Sequence, residues 1–155
     1  MQSTSALVTR VAAVESCSVY TDGGARGNPG PAGAGGIIVA SDGVVVAEIS
    51  EFLGTATNNV AEYRALIVTL ERALEVGCRR LNLFMDSELV VRQLSGAYKV
   101  KDEKMLELHG RARSLLRRFD EVTVNHVRRE KNKRADELVN DAIDAFLSSR
   151  RSSEL

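Results

Sequence analysis

The chain has 155 residues, 44% of them hydrophobic and 27% charged, and its 21 basic residues balance its 21 acidic ones. This length and composition are those of one ordinary globular domain that can bury its own core. The zero net charge argues against a strong, non-specific nucleic-acid binder, and no apolar run approaches the ~20 residues that span a bilayer.

Charge patterning and cysteine usage add two expectations. Nine basic residues but only three acidic ones lie between Arg111 and Arg134, which a solvated helix face or a phosphate-facing patch explains equally well. Cys17 and Cys78 lie in apolar contexts without metal-type spacing, so buried free thiols are expected. Together with the absence of a signal peptide, they favour the cytoplasm.

The first strand is predicted over residues 16–21 and leads directly to Asp22. Residues 1–15 before it lack clear periodicity and are predicted to form a flexible leader. The glycine-rich loop over residues 23–30 removes side chains beside the Asp22 carboxylate, so a bulky group can approach the backbone closely. Taken alone, this stretch is equally well a surface turn.

Two further strands and a long helix follow. Residues 35–40 and 44–52 are predicted to be strands around an Asp-Gly hairpin turn, so the first three strands are antiparallel. The helix is predicted over residues 57–77, and Glu62 shares one of its faces with three leucines at four-residue steps. A carboxylate on this core-facing stripe needs a partner, and a metal ion is one candidate.

The fourth strand, predicted over residues 81–85, is followed at once by Asp86. The order of strand, crossover helix, strand and then a helix at 88–94 indicates parallel pairing and an α/β fold. Asp86 falls at the carboxyl end of a strand, where open α/β sheets bind their ligands. A plain N-cap for the helix at 88–94 explains this residue equally well.

The rest of the chain is predicted to contain a polar connection, two helices, a strand and a basic loop. In chain order these are the connection 95–104, the helix 103–119, the strand 122–127, the basic loop 128–134 and the last helix 134–146. Asp136 lies in the first turn of the last helix. No repeat or composition shift divides residues 16–147, which are predicted to be one domain, and residues 148–155 are predicted to be a flexible tail.

Four acids stand out by position rather than by type. Asp22, Glu62, Asp86 and Asp136 each follow a strand or begin a helix, and they are so far apart in sequence that only the fold can unite them. Clustered carboxylates repel one another unless a cation lies among them. Magnesium prefers oxygen ligands, and two such ions roughly 4 Å apart can activate water and stabilise the leaving oxygen of a phosphodiester.

Each of these acids lies in a short motif, and the four motifs follow one another over roughly residues 16–146: Tyr20-Thr21-Asp22-Gly23-Gly24, Thr57-Asn58-Asn59-Val60-Ala61-Glu62, Met85-Asp86-Ser87 and Asn132-Lys133-Arg134-Ala135-Asp136-Glu137-Leu138. In content and order they resemble the motifs of type 1 ribonuclease H. The resemblance implies an α/β, ribonuclease H-like fold, a mixed five-stranded sheet with three antiparallel strands and two parallel ones, flanked by helices. It implies an endoribonuclease that hydrolyses the RNA strand of an RNA–DNA hybrid and leaves 5′-phosphate and 3′-hydroxyl ends.

The resemblance also implies roles for the acids. Asp22, Glu62, Asp86 and Asp136 match the family's metal-binding catalytic carboxylates. Asp22 would bridge two Mg²⁺ ions, for which Mn²⁺ is a possible substitute, and Asp136 would complete the second metal site. Glu62 would also face the 2′-hydroxyl of the RNA near the scissile bond.

Four polar residues match substrate contacts of the family. Asn28 matches a minor-groove contact, Asn58 and Asn59 match the pair that reads the groove, and Thr57 matches a residue that holds a DNA-strand phosphate. Amides and hydroxyls suit this task because they can hydrogen-bond ribose 2′-hydroxyls and base edges. Helix capping is the alternative interpretation of Asn58 and Asn59.

Two features depart from the family pattern. His126 lies ten residues before the last aspartate, as a histidine of a mobile catalytic loop does in the family, but here it continues a strand pattern. A structural strand residue is therefore the alternative to a catalytic one, and Arg128 and Arg129 are candidate substrate contacts instead.

The basic protrusion of many members is also missing, since the segment 95–103 is short and the chain lacks tryptophan. This resembles the compact bacterial and archaeal branch and predicts weaker, more salt-sensitive hybrid binding.

Two other functions compete with this interpretation. One is a module that binds hybrids or double-stranded RNA and has lost catalysis, but a pure binder has no need for all four acids. The other is a different nuclease of the wider superfamily, which the motifs at 57–62 and 132–136 fit less well. A monomer with no membrane or protein partner is the default expectation.

Overall fold

Five strands form one mixed sheet in the computed structural model, which describes residues 15–154. They are β1 (Ser16–Ala25), β2 (Gly30–Ala40), β3 (Val45–Ala56), β4 (Arg80–Met85) and β5 (Glu121–His126). Their order across the sheet is β3-β2-β1-β4-β5. The first three strands pair antiparallel, whereas β4 pairs parallel to both β1 and β5. The predicted fold class and strand arrangement are confirmed.

Within the described part of the chain, four helices are packed around this sheet. They are α1 (Asn58–Glu75), α2 (Glu88–Leu94), α3 (Glu103–Leu116) and α4 (Lys133–Glu154). A Cβ atom on Gly35 would meet the backbone of α4, whereas one on Gly36 would meet Thr69 of α1. Because successive residues of a strand face opposite sides of a sheet, α1 and α4 cover opposite faces.

Several element boundaries differ from the sequence predictions, since β2 begins at Gly30 rather than at residue 35 and β3 continues to Ala56 rather than ending at residue 52. The glycine-rich stretch after Asp22 is strand rather than loop, since β1 continues to Ala25 and pairs with β2 through Gly24 and Gly33. Glycine backbones form ladder hydrogen bonds as other residues do, and only their missing side chains weaken the strand signal. Helix α4 continues to Glu154 beyond its predicted end, and residues 95–102 form the short connection between α2 and α3. The predicted leader lies outside the described residues except for Glu15, and the flexibility of the predicted tail stays a prediction.

Apolar side chains from both sheet faces form the core, without covalent cross-links. Cys17 and Cys78 are both buried and neither forms a disulfide, as predicted. Within residues 15–154, no helix combines the length and apolar character that a membrane span requires.

Candidate active site

The sheet topology brings Asp22 and Asp86 to one edge of the molecule. Strands β1 and β4 are parallel, and Thr21 pairs with Met85 across them. Asp22 follows Thr21 and Asp86 follows Met85. The two aspartates therefore occupy adjacent positions on neighbouring strands. Ser87, not Asp86, caps α2, because its side chain accepts a hydrogen bond from the Val90 amide at 3.3 Å. The N-cap interpretation of Asp86 is therefore wrong.

Two helix starts complete the group of acids. Glu62 lies near the start of α1, and Asp136 lies in the first turn of α4. All four acids line one cleft of about 560 Å³. Asp22, Glu62 and Asp86 place carboxylate oxygens within 4.8 Å of one another. Asp136 approaches from the face of the sheet opposite to Glu62. Within the described residues, its carboxylate is not part of the group of three.

Burial makes this cluster unfavourable without a cation. Asp22 and Glu62 are each only 8% exposed, and the Oε2 atom of Glu62 is buried without a hydrogen-bond partner. Burial raises the pKa of Asp22 to about 7, and the negative charge of Asp86 adds to that rise. Burial and the charge of Asp22 together raise the pKa of Glu62 well above its ordinary value. Three convergent oxygen donors with an unpartnered buried oxygen fit a hard divalent cation.

Two glycines let the helix backbones approach the sheet beside the acids. A Cβ atom on Gly23 would lie 2.1 Å from the carbonyl oxygen of Ala61, the residue before Glu62. A Cβ atom on Gly35 would lie 2.1 Å from the carbonyl oxygen of Ala135, the residue before Asp136. The bulky groups that approach these backbones are thus the two helices that carry Glu62 and Asp136. The glycine beside Asp22 provides clearance for α1, and not for a ligand as the sequence suggests.

Asn132 is a site residue that sequence reasoning missed. Its side chain is 2% exposed, and its Nδ2 donates to the Thr21 carbonyl oxygen at 2.9 Å. The backbone carbonyl oxygen of Asn132 accepts a hydrogen bond from the Asp136 backbone amide at 3.2 Å. Burial raises the pKa of Asp86, and a hydrogen bond from Asn132 opposes that rise. Asn132 thus connects the segments that carry three of the four acids.

We expect Asn132→Ala to destabilise the chain by about 2 kcal/mol, because the buried Thr21 carbonyl loses a donor. Urea unfolding measures this effect. Asn82→Ala is the matched control, since Asn82 is exposed on β4 and its Oδ1 accepts from Asn125 Nδ2 at 2.7 Å. Equal losses of stability in the two variants would contradict the assigned role.

The asparagines predicted to contact substrate connect the β1–β2 loop to α1. Asn28 Oδ1 accepts from the Asn58 amide at 3.0 Å, and Asn58 Oδ1 accepts from the Ala25 amide at 2.9 Å. The helix cap is Thr57, whose hydroxyl accepts from the Val60 amide at 3.2 Å. Asn58 and Asn59 are exposed and line the cleft. Capping therefore does not account for either asparagine.

The remaining predicted residues lie on the Asp86 side of the cleft. His126 is the last residue of β5, is exposed, and has its Nε2 atom 3.3 Å from the Asp86 carbonyl oxygen. Arg129 lines the cleft, and its positive charge opposes the rise that burial causes in the pKa of Asp86. Arg128 is exposed and precedes the 3₁₀ turn Arg129–Lys131. His126 thus lies at the end of a strand, within hydrogen-bond distance of a backbone carbonyl, rather than in a mobile loop as the corresponding histidine of the family does.

The raised pKa of Asp22 predicts how the stability of the metal-free chain depends on pH. An acid whose folded pKa is about 7 and whose ordinary value is 3.8 binds more protons when folded, so the contribution of Asp22 to stability is greatest below pH 4. Between pH 4 and 7 the contribution of Asp22 to the unfolding free energy should fall by about 4 kcal/mol and then level off.

Thermal unfolding in a chelating buffer across this pH range tests the prediction. Asp22→Asn should flatten the profile, because an amide does not titrate. An unchanged slope in this variant would assign the effect to another group.

Three comparisons place this geometry among known proteins. The pattern of the reverse transcriptase-like family matches residues 20–142. Ribonuclease HI of Halobacterium salinarum is 48% identical over 125 residues, which cover 81% of this chain and 63% of that protein. The bifunctional protein Rv2228c of Mycobacterium tuberculosis is 46% identical over 132 residues, 84% of this chain and 36% of that protein. The chain therefore spans less than two thirds of the length of these curated relatives.

A solved structure gives the comparison over a whole domain. LC11-RNase H1, crystallised in complex with an RNA/DNA hybrid, superposes with a TM-score of 0.80 at 46% identity. The match covers 84% of this chain and 99% of that one. Fold and sequence therefore agree over nearly the whole length of a ribonuclease H1 domain.

Proposed function

The chain belongs to the ribonuclease H family, and on that premise we propose that it is an endoribonuclease that hydrolyses the RNA strand of RNA–DNA hybrids. The products would carry 5′-phosphate and 3′-hydroxyl ends. The observation that carries this proposal is the convergence of Asp22, Glu62 and Asp86 within 4.8 Å in a cleft that Asp136 also lines. The family match over residues 20–142 supports residues 16–147 as the catalytic domain.

Asp22, Glu62, Asp86 and Asp136 would hold Mg²⁺, with Mn²⁺ as a substitute, since their donor atoms are all carboxylate oxygens. Two bound ions would supply Lewis-acid polarisation of the phosphodiester and an activated water. The protein's own contribution is positional. Helix α1 and strand β1 are in backbone contact at Gly23, so Glu62 and Asp22 are held without flexible intermediates.

The rim of the cleft would bind the hybrid. Asn28 and Asn58 form a hydrogen-bonded unit beside the exposed Asn59, and amide groups in such a row can contact 2′-hydroxyls and base edges of a shallow groove. Thr57 caps α1 and would present the start of that helix to a DNA-strand phosphate. Arg128 and Arg129 would attract phosphates on the Asp86 side.

Location and assembly are parts of the same proposal. Cys17 and Cys78 are buried thiols that are not joined in a disulfide, which supports a reducing compartment that we take to be the cytoplasm. All four acids come from one chain, which supports a monomer as the active unit. His126 would act as a structural residue at the end of β5, with its ring on the Asp86 carbonyl, rather than as a mobile proton carrier.

A substrate panel tests the proposed activity. The full chain is incubated with labelled RNA–DNA hybrid, duplex DNA or duplex RNA, each with Mg²⁺, Mn²⁺ or a chelator. We expect cleavage of the RNA strand of the hybrid, dependent on the metal ion. Binding of the hybrid without cleavage would replace the enzyme by a binding module, and cleavage of duplex DNA would point to another nuclease class.

A further inference from the structure

Arg26 connects the β1–β2 loop to helix α4 across the mouth of the cleft. Its Nη1 donates to Asp144 Oδ1 at 2.7 Å, and its Nη2 donates to Asn140 Oδ1 at 3.1 Å. Arg26 and Asn140 both line the cleft that contains the four acids. We call this set of three residues, Arg26, Asn140 and Asp144, the α4 clamp.

The clamp lies on the same helix face as Asp136. Asp136, Asn140 and Asp144 follow one another at four-residue steps, which places them in one row along α4. Asn140 Nδ2 also donates to the Asp136 carbonyl oxygen at 3.1 Å. The guanidinium is thus connected through Asn140 to the helical turn that carries Asp136.

The other end of the clamp is fixed by backbone contacts. The Arg26 amide donates to the Pro31 carbonyl oxygen at 2.9 Å. A Cβ atom on Gly30 would overlap the Arg26 carbonyl oxygen at 2.0 Å, so the loop is tightly folded at this point. The neighbouring Ala25 amide donates to Asn58 of α1. Arg26 is therefore anchored to the same framework that holds Asp22 and Glu62.

Helix α4 needs a support on the cleft side. Its backbone rests on β2, where Gly33 and Gly35 allow close approach to Val139 and Ala135. On the cleft side, the carboxylate of Asp136 faces other carboxylates, whose like charge repels it. The contacts of Arg26 with Asp144 and Asn140 hold α4 from the cleft side and oppose that repulsion.

We propose that Arg26 is a positioning residue, which acts through Asn140 and Asp144 to hold Asp136 at the distance from Asp22 that a divalent cation requires. This inference rests on the proposed function only in that it takes the carboxylate cleft as a cation site. It assigns no contact between Arg26 and the reacting atoms. The Arg26–Asp144 pair is 40% and 64% exposed, so its effect on global stability should be small and its effect on metal affinity should be the larger one.

The test is Mn²⁺ binding to the full chain without substrate, measured by calorimetry for Arg26→Ala, Asp144→Ala and the double variant. We expect each single variant to weaken Mn²⁺ binding about fivefold and the double variant to weaken it no further, as for residues that act as one unit. Arg26→Lys should restore part of the affinity, because an ammonium can reach Asp144 but lacks the second donor arm for Asn140. The Mg²⁺ concentration for half-maximal hybrid cleavage should rise in parallel, with the melting temperature nearly unchanged.

Arg79→Ala is the matched control. Arg79 forms an exposed ion pair with Asp120 at 3.1 Å. These two residues directly precede the parallel strands β4 and β5, at the ends of the strands away from the cleft. This variant removes one arginine and one surface pair without touching the cleft, so its Mn²⁺ affinity should equal that of the wild type.

Four results would overturn the inference. If the pair acted by charge alone, Arg26→Ala would bind Mn²⁺ more tightly and Asp144→Ala would bind it more weakly. Changes in Mn²⁺ affinity of opposite sign in the two variants would therefore contradict the positioning role. Additive losses in the double variant would show that the two residues act separately. Unchanged affinity, or a wild-type chain that binds no Mn²⁺, would remove the role altogether. A chain that binds Mn²⁺ with the expected pattern but leaves the hybrid intact would refute the proposed function and retain the clamp.

Discussion

Asp22→Asn is expected to slow cleavage of an RNA–DNA hybrid at least about 1000-fold at saturating Mg²⁺. Asp22 is 8% exposed and is the acid whose pKa responds to the charges of both Asp86 and Asp136. An amide keeps the shape of the side chain but removes the negative charge and one metal-binding oxygen, and it places an N–H donor in the cation site. Single-turnover cleavage of a labelled hybrid measures the chemical step directly.

Asp42→Asn controls for the general effect of removing an aspartate. Asp42 lies in the β2–β3 turn, and its Oδ1 accepts from the Val44 amide at 3.0 Å, a bond that an asparagine oxygen can also form. This variant should cleave the hybrid like the wild type. Asp22→Asn should also remain folded and melt at a higher temperature in a chelating buffer, since a buried repulsive charge is removed. Retention of more than about a tenth of the activity would exclude Asp22 as a central metal ligand.

The positions of the acids could be predicted from the sequence because each follows from a local pattern. Asp86 is preceded by an alternating strand and followed by a helix, and strand-then-helix order implies a parallel sheet whose carboxyl ends share one edge. Glu62 lies on a helix face with leucines, and Leu66 and Leu70 are indeed fully buried. Periodicity and order along the chain thus predict where these two residues lie in the fold.

The residues that hold the acids in place could not be predicted this way, because their partners are distant in sequence. Asn132 bonds to Thr21 across 111 positions, and Arg26 bonds to Asp144 across 118. Neither residue type is unusual in a loop, so composition offers no signal. Only the sheet order, which places α4 over β2 beside β1, brings these groups together.

The extent of α4 shows a second limit of local reasoning. The serines after Phe146 suggest the end of a helix, since serine competes with the backbone for hydrogen bonds. No glycine or proline follows, however, and helix-favouring arginines occupy positions 150 and 151. The helix continues through them to Glu154. Weak breakers therefore predict a helix end poorly when no strong breaker accompanies them.

Gly23→Ala is expected to lower the free energy of unfolding by about 3 kcal/mol, although it adds a single methyl group. That methyl group would lie 2.1 Å from the Ala61 carbonyl oxygen and 2.6 Å from the Glu62 amide nitrogen. Both contacts are with helix backbone, which cannot rotate away as a flexible side chain can. Helix α1 must move as a unit, and Glu62 moves with it.

The same displacement should reduce hybrid cleavage about 100-fold in whatever fraction of the variant is folded, because a shift of about 1 Å misaligns a catalytic group. Gly110→Ala adds the same methyl group but is expected to change the free energy of unfolding in the opposite direction. Gly110 lies inside α3, where an added Cβ meets nothing within 4 Å, so alanine should stabilise the chain by about 1 kcal/mol through helix propensity alone. Urea unfolding of both variants gives the two signs, and kinetics at matched folded concentration give the catalytic effect. If Gly23→Ala were as stable and as active as Gly110→Ala, the approach of α1 to β1 would be looser than 2.1 Å implies, and close backbone packing could not be what positions Glu62 against Asp22.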